Sequence, residues 1–258
     1  MIPLTFHFTY FRGTTNWEWL DLHTLCLKSC LINAKAEKII LHLDRDGEGP
    51  AWSEMLVLKN VELRYVTPEH TINGYPVTDQ RLWGDLYRLR VLEAEGGFYC
   101  DLDFIFLGSF AKLRDGPAMI GTQCKQKKKL CCALMGAEPG SEFIRAYIKS
   151  YDAWSPNDEK VFWTFANTVP WALAQIHPVN VLARSILYPL AWSNKKFWTG
   201  KSICLKTAVA IHLWGHLHPV ITRKVLDDTI LKSVLERLDH GGIVTAVSSL
   251  PGRVVSFD

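Results

Sequence analysis

Two aspartates two positions apart, Asp101 and Asp103, are the residues of this 258-residue sequence whose type and spacing most directly suggest chemistry. They follow Phe98–Cys100, an apolar segment that predicts a β-strand. Residues i and i+2 of a strand project to the same side, so we expect both carboxylates to share a face at its end. Two neighbouring anions in apolar surroundings need a compensating cation, and hard divalent metals bind carboxylate oxygens directly. The pair therefore predicts a site for Mn²⁺ or Mg²⁺, with a solvent-exposed acidic turn as the alternative.

A second charged pair precedes the aspartates. Asp85 and Arg88 lie three residues apart in a predicted helix, 79–95, and therefore on one face of it. Gly96 and Gly97 predict the end of that helix and a tight turn into the acidic segment. A carboxylate accepts hydrogen bonds from sugar hydroxyls, and a guanidinium suits phosphate oxygens or a sugar hydroxyl. The pair predicts a sugar-binding or phosphate-binding site, with a local surface salt bridge as the alternative.

The order of these residues resembles a glycosyltransferase signature. Asp85-Leu86-Tyr87-Arg88, followed by Gly96-Gly97-Phe98-Tyr99 and Asp101-Leu102-Asp103, is similar to the pattern "D-x-x-R, G-G-x-Y-x-D-x-D". This pattern is typical of a DXD-containing retaining glycosyltransferase family with the GT-A fold. The family includes the fungal initiating mannosyltransferases, the α-1,4-galactosyl- and N-acetylglucosaminyltransferases, and the large glucosylating bacterial toxins.

The resemblance implies both a fold and an activity. The fold would be an α/β fold of GT-A type, a Rossmann-like mixed sheet flanked by helices. The activity would be a metal-dependent, retaining transfer of a sugar from a nucleotide-diphosphate sugar, most plausibly a UDP-sugar, to a hydroxyl acceptor. Mn²⁺ or Mg²⁺ would be the cofactor, and polysaccharide biosynthesis is among the processes implied.

The resemblance also implies a role for each residue of the signature. Asp103 would ligate the metal directly, and Asp101 would contact the ribose, or the metal through water. Asp85 and Arg88 would hold the transferring sugar, so that these four residues form the catalytic group. Tyr99 would line the nucleotide pocket.

The first residues resemble the opening strand of the same family. The segment from Ile2 to Tyr10 is similar to "I-P-K-x-I-H-x-x-W". The similarity implies that Phe8, Thr9 and Tyr10 lie at the nucleotide. Tyr10 would stack on uracil where the family commonly has Trp, and Thr9 would touch the edge of the base.

A segment near the C-terminus, Ala210-Ile211-His212-Leu213-Trp214-Gly215-His216, resembles the "H-x-W" segment of the family. It implies that His212 completes the metal shell or contacts the diphosphate, and that Trp214 closes over the phosphates. Gly215 stands where the family often has Asn.

The elements that must position these residues follow from hydrophobic periodicity. The first 110 residues alternate strand and helix patterns, with predicted strands at 4–10, 38–43 and 61–67 and predicted helices at 17–34, 51–58 and 79–95. This alternation favours a βαβ half, 1–110, that binds the nucleotide on a largely parallel sheet. The second half, 111–258, has predicted strands at 118–123, 130–136 and 208–214 and predicted helices at 141–154, 159–176 and 223–238. No linker separates the halves, so we expect a single domain, 1–258, whose second half provides the acceptor side and a closing segment.

Composition limits the classes of protein. Twenty-nine Lys and Arg against 26 Asp and Glu give a net charge of +3, and 48% of the residues are hydrophobic. This composition argues against disorder and against a dedicated nucleic-acid binder. Seven Cys without a CxxC pair predict reduced thiols. No signal peptide or membrane-spanning run is apparent, so the sequence predicts a cytoplasmic protein, with peripheral membrane association left open.

The acceptor stays open, because acceptor loops vary most. A glycan, a lipid-linked oligosaccharide, a protein or a modified nucleic acid would each offer a hydroxyl. Two other functions are alternatives. A phosphohydrolase would use Asp101 as nucleophile and Asp103 as acid, but that class usually has Thr or Val where Ile105 stands. A non-catalytic sugar-nucleotide or glycan-binding module would be expected to lose the metal carboxylates, and both are present.

Overall fold

The computed structural model describes residues 1–13, 18–77, 80–124, 126, 128–156, 163–191, 204–215 and 232–239. The strands of this part are β1 (Thr5–Tyr10), β2 (Lys38–Leu43), β3 (Val61–Tyr65), β4 (Thr71–Ile72), β5 (Tyr75–Pro76), β6 (Gly97–Cys100), β7 (Phe104–Phe106), β8 (Ala118–Cys124), β9 (Lys129–Ala137), β10 (Asn180–Leu182) and β11 (Ala210–His212). The α-helices are α1 (Asp21–Ser29), α2 (Pro50–Leu56), α3 (Gln80–Glu95), α4 (Glu142–Ser150), α5 (Val169–Leu173), α6 (Arg184–Leu187) and α7 (Lys232–Asp239). A π-helical turn, Cys30–Ala34, extends α1, and another, Thr164–Thr168, precedes α5.

A seven-stranded sheet in the order β10-β8-β9-β6-β1-β2-β3 forms the centre of the molecule. The pairs β1–β2, β2–β3 and β1–β6 are parallel, as the alternation of predicted strands and helices indicates. Strand β9 is antiparallel to both of its neighbours, β6 and β8, which makes the sheet mixed. Two small antiparallel pairs, β7–β11 and β4–β5, lie outside it. The mixed α/β architecture with a mainly parallel sheet confirms the predicted fold class.

Helices cover both faces of the sheet. Successive residues of a strand point to opposite faces, and both faces of this sheet are apolar. One buried cluster joins β1 and β2 to residues of α1 and α2, among them Leu22, Leu25 and Trp52. The other joins β9 to α3 and α4 through residues such as Leu86, Leu89 and Phe143. Strand β1 therefore has a side that faces α1 and α2 and a side that faces α3.

The sequence predicts both aspartates on an extended backbone at the end of an apolar strand, and the structure interrupts that backbone with a turn. The chain leaves the large sheet after Cys100, makes a turn at Leu102 and Asp103, and enters the separate strand β7. The reason is that β7 pairs with β11, so the chain must change direction between the two sheets. Asp101 and Asp103 consequently lie in a turn between two strands and not on one extended strand.

Other predicted elements are present with shorter bounds. The predicted helix at 159–176 begins outside the described residues and is seen as the π-helical turn and α5. Of the predicted helix at 223–238, the structure describes only α7. Among the described residues, no helix is both long enough and apolar enough to span a membrane. All seven cysteines are described, and each is free.

Candidate functional site

The candidate site lies where the strand order of the sheet reverses. From β1 the chain continues to β2 and β3 on one side, whereas β6 pairs with β1 on the other side. The carboxyl ends of the parallel strands β1 and β6 meet at one edge, and in open α/β sheets ligands bind in the crevice at such a reversal. The turn with Asp101 and Asp103 directly follows β6 and therefore lies at this edge.

Helix α3 brings Asp85 and Arg88 to the same place. Nη2 of Arg88 lies 2.7 Å from Oδ1 of Asp85 and 3.4 Å from Oδ1 of Asp101. Its Nη1 donates a 2.8 Å hydrogen bond to the carbonyl of Cys132 on β9, and its Nε donates to the carbonyl of Gly84. Asp85 and Arg88 are both buried. The pair is therefore a buried, hydrogen-bonded arrangement and not the surface salt bridge that was the alternative.

The guanidinium of Arg88 also packs over an aromatic ring. It lies 4.4 Å from the centroid of Tyr99, a geometry that allows a cation–π interaction. Burial alone would lower the pKa of Arg88, but neighbouring acidic groups, above all Asp101, raise it well above its usual value. The hydroxyl of Tyr99 lies 2.7 Å from Oγ1 of Thr9 at the end of β1. Thr9, Tyr99, Arg88 and Asp85 thus form one continuous set of contacts.

Asp103 is held by the segment that contains β11. Its Oδ1 lies 2.9 Å from Nε2 of His212, and its Oδ2 accepts a 2.7 Å hydrogen bond from the backbone N–H of Gly215. The register of β11 against β7 places His212 opposite Phe104, the residue after Asp103. The rings of His212 and Phe104 stack 4.4 Å apart. Two segments more than 100 residues apart in sequence therefore build one cluster.

A backbone of unusual conformation makes the contact with Gly215 possible. Trp214 has a φ of 57°, in the left-handed region that a bulky residue rarely adopts. The ring of Trp214 is buried, donates from Nε1 to the carbonyl of Leu190, and lies 4.0 Å from the ring of His212. Such conformations persist where the surrounding structure enforces them, commonly at functional sites. The ring of Trp214 thus lies beside the candidate cluster, and its predicted role over the phosphates stays a prediction.

The residues Asp101, Asp103 and His212 are suited to a divalent metal. One ligand atom from each lies within 4.8 Å of the others. Burial, together with the charge of Asp103, raises the pKa of Asp101, although Arg88 and His212 oppose the shift. Burial would lower the pKa of His212, but the charge of Asp103 and the hydrogen bond to it raise it to about 10. Without a metal the raised pKa keeps His212 protonated beside Asp103, and metal binding would displace that proton. Two carboxylates and the resulting neutral imidazole are a donor set that Mn²⁺ or Mg²⁺ accepts, so the residues fit the predicted ion.

The predicted nucleotide-binding residues of β1 are divided between the two faces of the strand. Thr9 is half-buried on the side of α3, where it contacts Tyr99. Phe8 and Tyr10 face α1 and α2 and are 0% and 1% exposed. The ring of Tyr10 packs edge-on against Trp19, with centroids 5.0 Å apart. The predicted stacking of Tyr10 on a base therefore needs correction, because strand alternation turns its ring into the core, as it does for Phe8.

The structure adds residues that the sequence did not single out. The thiol of Cys132 lies 3.5 Å from Nη1 of Arg88 and 3.9 Å from Oδ1 of Asp85. Its neighbour Cys131 contacts His212 and contributes to the raised pKa of that histidine. Both come from β9, the strand next to β6 in the sheet. The predicted strand at 130–136 included them, but nothing in their spacing indicated contact with the site.

A sequence comparison finds a family that is similar to the segment carrying these residues. Residues 21–123 match the family described as "Glycosyltransferase sugar-binding region containing DXD motif". We call these residues the DXD region. It includes Asp85, Arg88, Tyr99, Asp101 and Asp103, and so it contains the whole signature predicted from the sequence. The DXD region ends before β11, so His212 reaches the cluster from outside it.

A curated protein similar to this chain is glucan organizing enzyme 1 of Cryptococcus neoformans var. grubii serotype A. It is 27% identical over 206 residues, which cover 74% of this chain and 55% of the relative. The chain thus spans about half the length of that relative. The matched 206 residues are longer than the DXD region, so the similarity to this protein reaches beyond residues 21–123.

A solved structure of a glycosyltransferase shares the fold. The galactosyltransferase LgtC, in complex with donor and acceptor sugar analogues, is 12% identical and superimposes with a TM-score of 0.51 over 95% of this chain and 98% of its own. The PaToxG glycosyltransferase is 17% identical, with a TM-score of 0.46 over 67% of this chain and 68% of its own. The similarity to LgtC shows that this chain has the GT-A fold.

Proposed function

We propose that this protein is a metal-dependent, retaining glycosyltransferase that transfers a sugar from a UDP-sugar to a hydroxyl acceptor. The observation that carries the proposal is the meeting of two sets of residues at one edge of the sheet. Asp101, Asp103 and His212 form the candidate metal cluster, and the buried pair Asp85–Arg88 adjoins it through Asp101. The match of residues 21–123 to the DXD glycosyltransferase family supports the same activity.

Asp101, Asp103 and His212 would hold Mn²⁺ or Mg²⁺, which when bound neutralises charge on a diphosphate leaving group. The chain prepares these ligands through its own contacts. The N–H of Gly215 fixes one oxygen of Asp103, and the ring of Phe104 fixes the plane of His212. Preorganised ligands lose little conformational entropy when the ion and the donor bind.

Asp85 and Arg88 would bind the transferring sugar and stabilise the leaving phosphate. Arg88 is positively charged at every relevant pH, and its contacts with Asp85, Asp101 and the carbonyl of Cys132 fix the direction of its fork. A fixed guanidinium can stabilise negative charge that develops on the diphosphate without reorganising. Thr9 and Tyr99 would line the nucleotide pocket. Retention rests on the family resemblance, and same-face attack requires no protein nucleophile.

The acceptor is proposed to be a polysaccharide. The support is the name of the curated relative, which refers to a glucan. The alternative acceptors, a lipid-linked oligosaccharide and a protein, differ from a polysaccharide in what surrounds the hydroxyl. An assay with radiolabelled donor and each acceptor class separates them, since only the true acceptor incorporates label.

Thermal stabilisation by nucleotide sugars tests the donor. We expect UDP-sugars with Mn²⁺ to raise the melting temperature, and GDP-sugars or UDP-sugars with a chelator to leave it unchanged. Arg88→Lys keeps the charge but loses the fork, so it should abolish this stabilisation. Arg90→Lys, on the exposed face of α3, is the matched control and should respond like the parent chain. Stabilisation by GDP-sugars alone would contradict the donor, and no stabilisation by any nucleotide sugar would contradict the proposed function.

A further inference from the structure

A buried chain of hydrogen bonds crosses the sheet beneath α3, outside the residues assigned to metal and sugar. His7 on β1 and His42 on β2 lie side by side, and Nδ1 of His7 is 3.0 Å from Nε2 of His42. Nε2 of His7 is 3.1 Å from the carbonyl oxygen of Gly96, and Nδ1 of His42 is 2.7 Å from the hydroxyl of Tyr87. Both imidazoles are 0% exposed. We call Gly96, His7, His42 and Tyr87 together the His–His–Tyr chain.

The direction of every hydrogen bond in this chain follows from one carbonyl. The oxygen of Gly96 can only accept, so Nε2 of His7 carries the proton and its Nδ1 is an acceptor. Nε2 of His42 must then donate to Nδ1 of His7, which leaves Nδ1 of His42 as an acceptor. The hydroxyl of Tyr87 must therefore donate to it. Both histidines are neutral Nε2–H tautomers, and all four of their ring nitrogens are satisfied.

The protonation states agree with this assignment. Burial lowers the pKa of His7 to about 4 and, together with the neighbouring His7, that of His42 to about 3. Burial raises the pKa of Tyr87 to about 12. At neutral pH both imidazoles are therefore uncharged and the phenol retains the proton that it donates.

Both ends of the His–His–Tyr chain lie on α3 and the turn that follows it. Tyr87 lies within α3, between Asp85 and Arg88 in sequence, and Gly96 joins α3 to β6. The centre of the chain belongs to β1 and β2. The His–His–Tyr chain thus fastens the middle and the end of α3 to the parallel strands whose carboxyl ends border the candidate site.

The packing around both ends leaves little room for adjustment. The ring of Phe11, just beyond β1, packs edge-on against Tyr87, with centroids 5.2 Å apart. At the other end, a Cβ added to Gly97 would lie 2.5 Å from the carbonyl oxygen of Thr5 and 3.3 Å from Nε2 of His7. The turn between α3 and β6 can therefore approach β1 closely only with glycine at position 97.

We propose that His7, His42 and Tyr87 are positioning residues that hold α3, and with it Asp85 and Arg88, in the orientation that binds the donor. The part of this inference that concerns the donor rests on the proposed function. Tyr87 itself does not contact the assigned metal or sugar residues through any hydrogen bond that the structure describes. Its effect would pass through the backbone of α3 to the side chains of Asp85 and Arg88, and so would appear in the affinity for the donor.

The first experiment tests the tautomers without any activity. Long-range ¹H–¹⁵N spectra of the imidazoles distinguish a protonated from an unprotonated ring nitrogen. We expect both His7 and His42 to carry the proton on Nε2, and we expect Tyr87→Phe to shift the Nδ1 resonance of His42 alone among these four nitrogens. A proton on Nδ1 of either histidine in the parent chain would overturn the assignment.

The second experiment tests positioning through the backbone of α3. In Tyr87→Phe, amide hydrogen exchange should accelerate about tenfold across 84–92, because His42 loses its donor and α3 loses one of its attachments. The matched control is Tyr147→Phe. It removes a buried hydroxyl that donates to the carbonyl of Phe165 and takes no part in the His–His–Tyr chain. The control should leave exchange across 84–92 unchanged. Equal exchange in the parent chain and Tyr87→Phe would overturn the positioning role.

The third experiment connects positioning with the donor. For Tyr87→Phe we expect KM for the UDP-sugar to rise about fivefold while kcat changes less than about twofold, as for a loss of binding orientation. Tyr147→Phe should keep both constants. Unchanged KM in Tyr87→Phe would refute the link to the donor. If the parent chain turns over no nucleotide sugar, the proposed function fails, whereas the tautomer and exchange results still decide whether the His–His–Tyr chain holds α3.

Discussion

At the scale of single residues, the contact between Gly215 and Asp103 fixes the direction of one carboxylate of the candidate metal cluster. The N–H of Gly215 donates to Oδ2, while His212 contacts Oδ1, so both oxygens have a fixed direction. The left-handed backbone of Trp214 turns the chain to make this contact. Gly215 stands where the family pattern often has Asn. The contact with Asp103 at this position comes from the backbone N–H of Gly215 and not from a side chain.

Gly215→Ala tests this contact. The added Cβ would lie 3.3 Å from Cβ and 3.4 Å from Oδ2 of Asp103, so Asp103 must move. We expect Mn²⁺ affinity to fall about tenfold, because groups that orient a metal ligand typically contribute 10-fold to 100-fold. Isothermal titration with Mn²⁺ measures the change.

Gly108→Ala is the matched control for this substitution. Its Cβ would meet the side chain of Val209 at 3.6 Å, an ordinary van der Waals contact remote from the ligands. It should bind Mn²⁺ like the parent chain. Equal affinities for all three proteins would refute the role of the Gly215 contact.

The residues of the site were predictable from sequence to different extents. The spacing of Asp85, Arg88, Asp101 and Asp103 indicated a charged site, because side chains three apart on a helix and two apart in an extended segment lie close together. The placement of Tyr10 was wrong because alternation along β1 allows only every second residue to face α3. Cys132 was not predictable, since its contact with Arg88 depends on the pairing of β9 with β6.

At the scale of elements, the turn between α3 and β6 sets the distance between the pair Asp85–Arg88 and the two aspartates. Gly96 has a φ of 67° and Gly97 a φ of 92°, both in the left-handed region. The sequence predicted the helix end at this Gly pair correctly, because helices commonly stop at a left-handed glycine. It did not predict that Gly97 also packs against the backbone of β1.

Gly97→Ala, compared with a control, separates the cost of the backbone conformation from the cost of close packing on β1. The substitution combines an unfavourable φ with a Cβ only 2.5 Å from the carbonyl oxygen of Thr5. We expect a loss of at least about 3 kcal/mol in the free energy of unfolding, measured by urea denaturation. The cause is that the backbone of β1 cannot move without disturbing the parallel pairs.

The control for this prediction is Gly74→Ala. Gly74 has a φ of 79°, but a Cβ there would meet nothing within 4 Å. This variant should lose only the cost of the backbone conformation, about 1 kcal/mol. A similar loss in both variants would mean that close packing of Gly97 on β1 contributes nothing.

At the scale of the whole molecule, the site depends on how distant segments assemble. The βαβ half supplies the aspartates and α3, and β11 supplies His212 through its pairing with β7. The parallel order of β1, β2 and β3 was predictable from alternating strand and helix patterns. The separation of β7 from the large sheet was not, because a local sequence pattern does not reveal which strand a segment will pair with.

The buried histidines predict how global stability depends on pH. The pKa values of His7 and His42 in the folded protein, about 4 and about 3, lie below the ordinary value of 6.5. Between these values the unfolded state binds more protons, so these two histidines lower the stability as pH decreases below about 6.5. Burial lowers the pKa of His23 to about 4, which acts in the same direction, whereas the raised pKa of His212, about 10, opposes the fall. At pH 5 the loss should be about 2 kcal/mol for each histidine, relative to pH 7.5.

Urea denaturation at pH 7.5, 6 and 5 measures this dependence. Glu95, Arg64 and Lys38 are the charged groups that act on His7, and Arg64 also acts on His42. Equal free energies of unfolding at pH 5 and pH 7.5 would contradict the neutral, buried state of the two histidines.

In the proposed function, Asp101, Asp103 and His212 hold the metal that supports donor binding. Isothermal titration of Mn²⁺ in the presence of UDP, with the parent chain and Asp103→Asn, tests it most directly. Asn keeps an oxygen for the N–H of Gly215, so the fold should persist, while loss of the charge should weaken Mn²⁺ binding at least about 100-fold. Exposed Asp152→Asn is the matched control and should bind like the parent chain. One Mn²⁺ bound by the parent chain and the control but not by Asp103→Asn is the predicted result; equal binding by all three, or none by the parent chain, would contradict it.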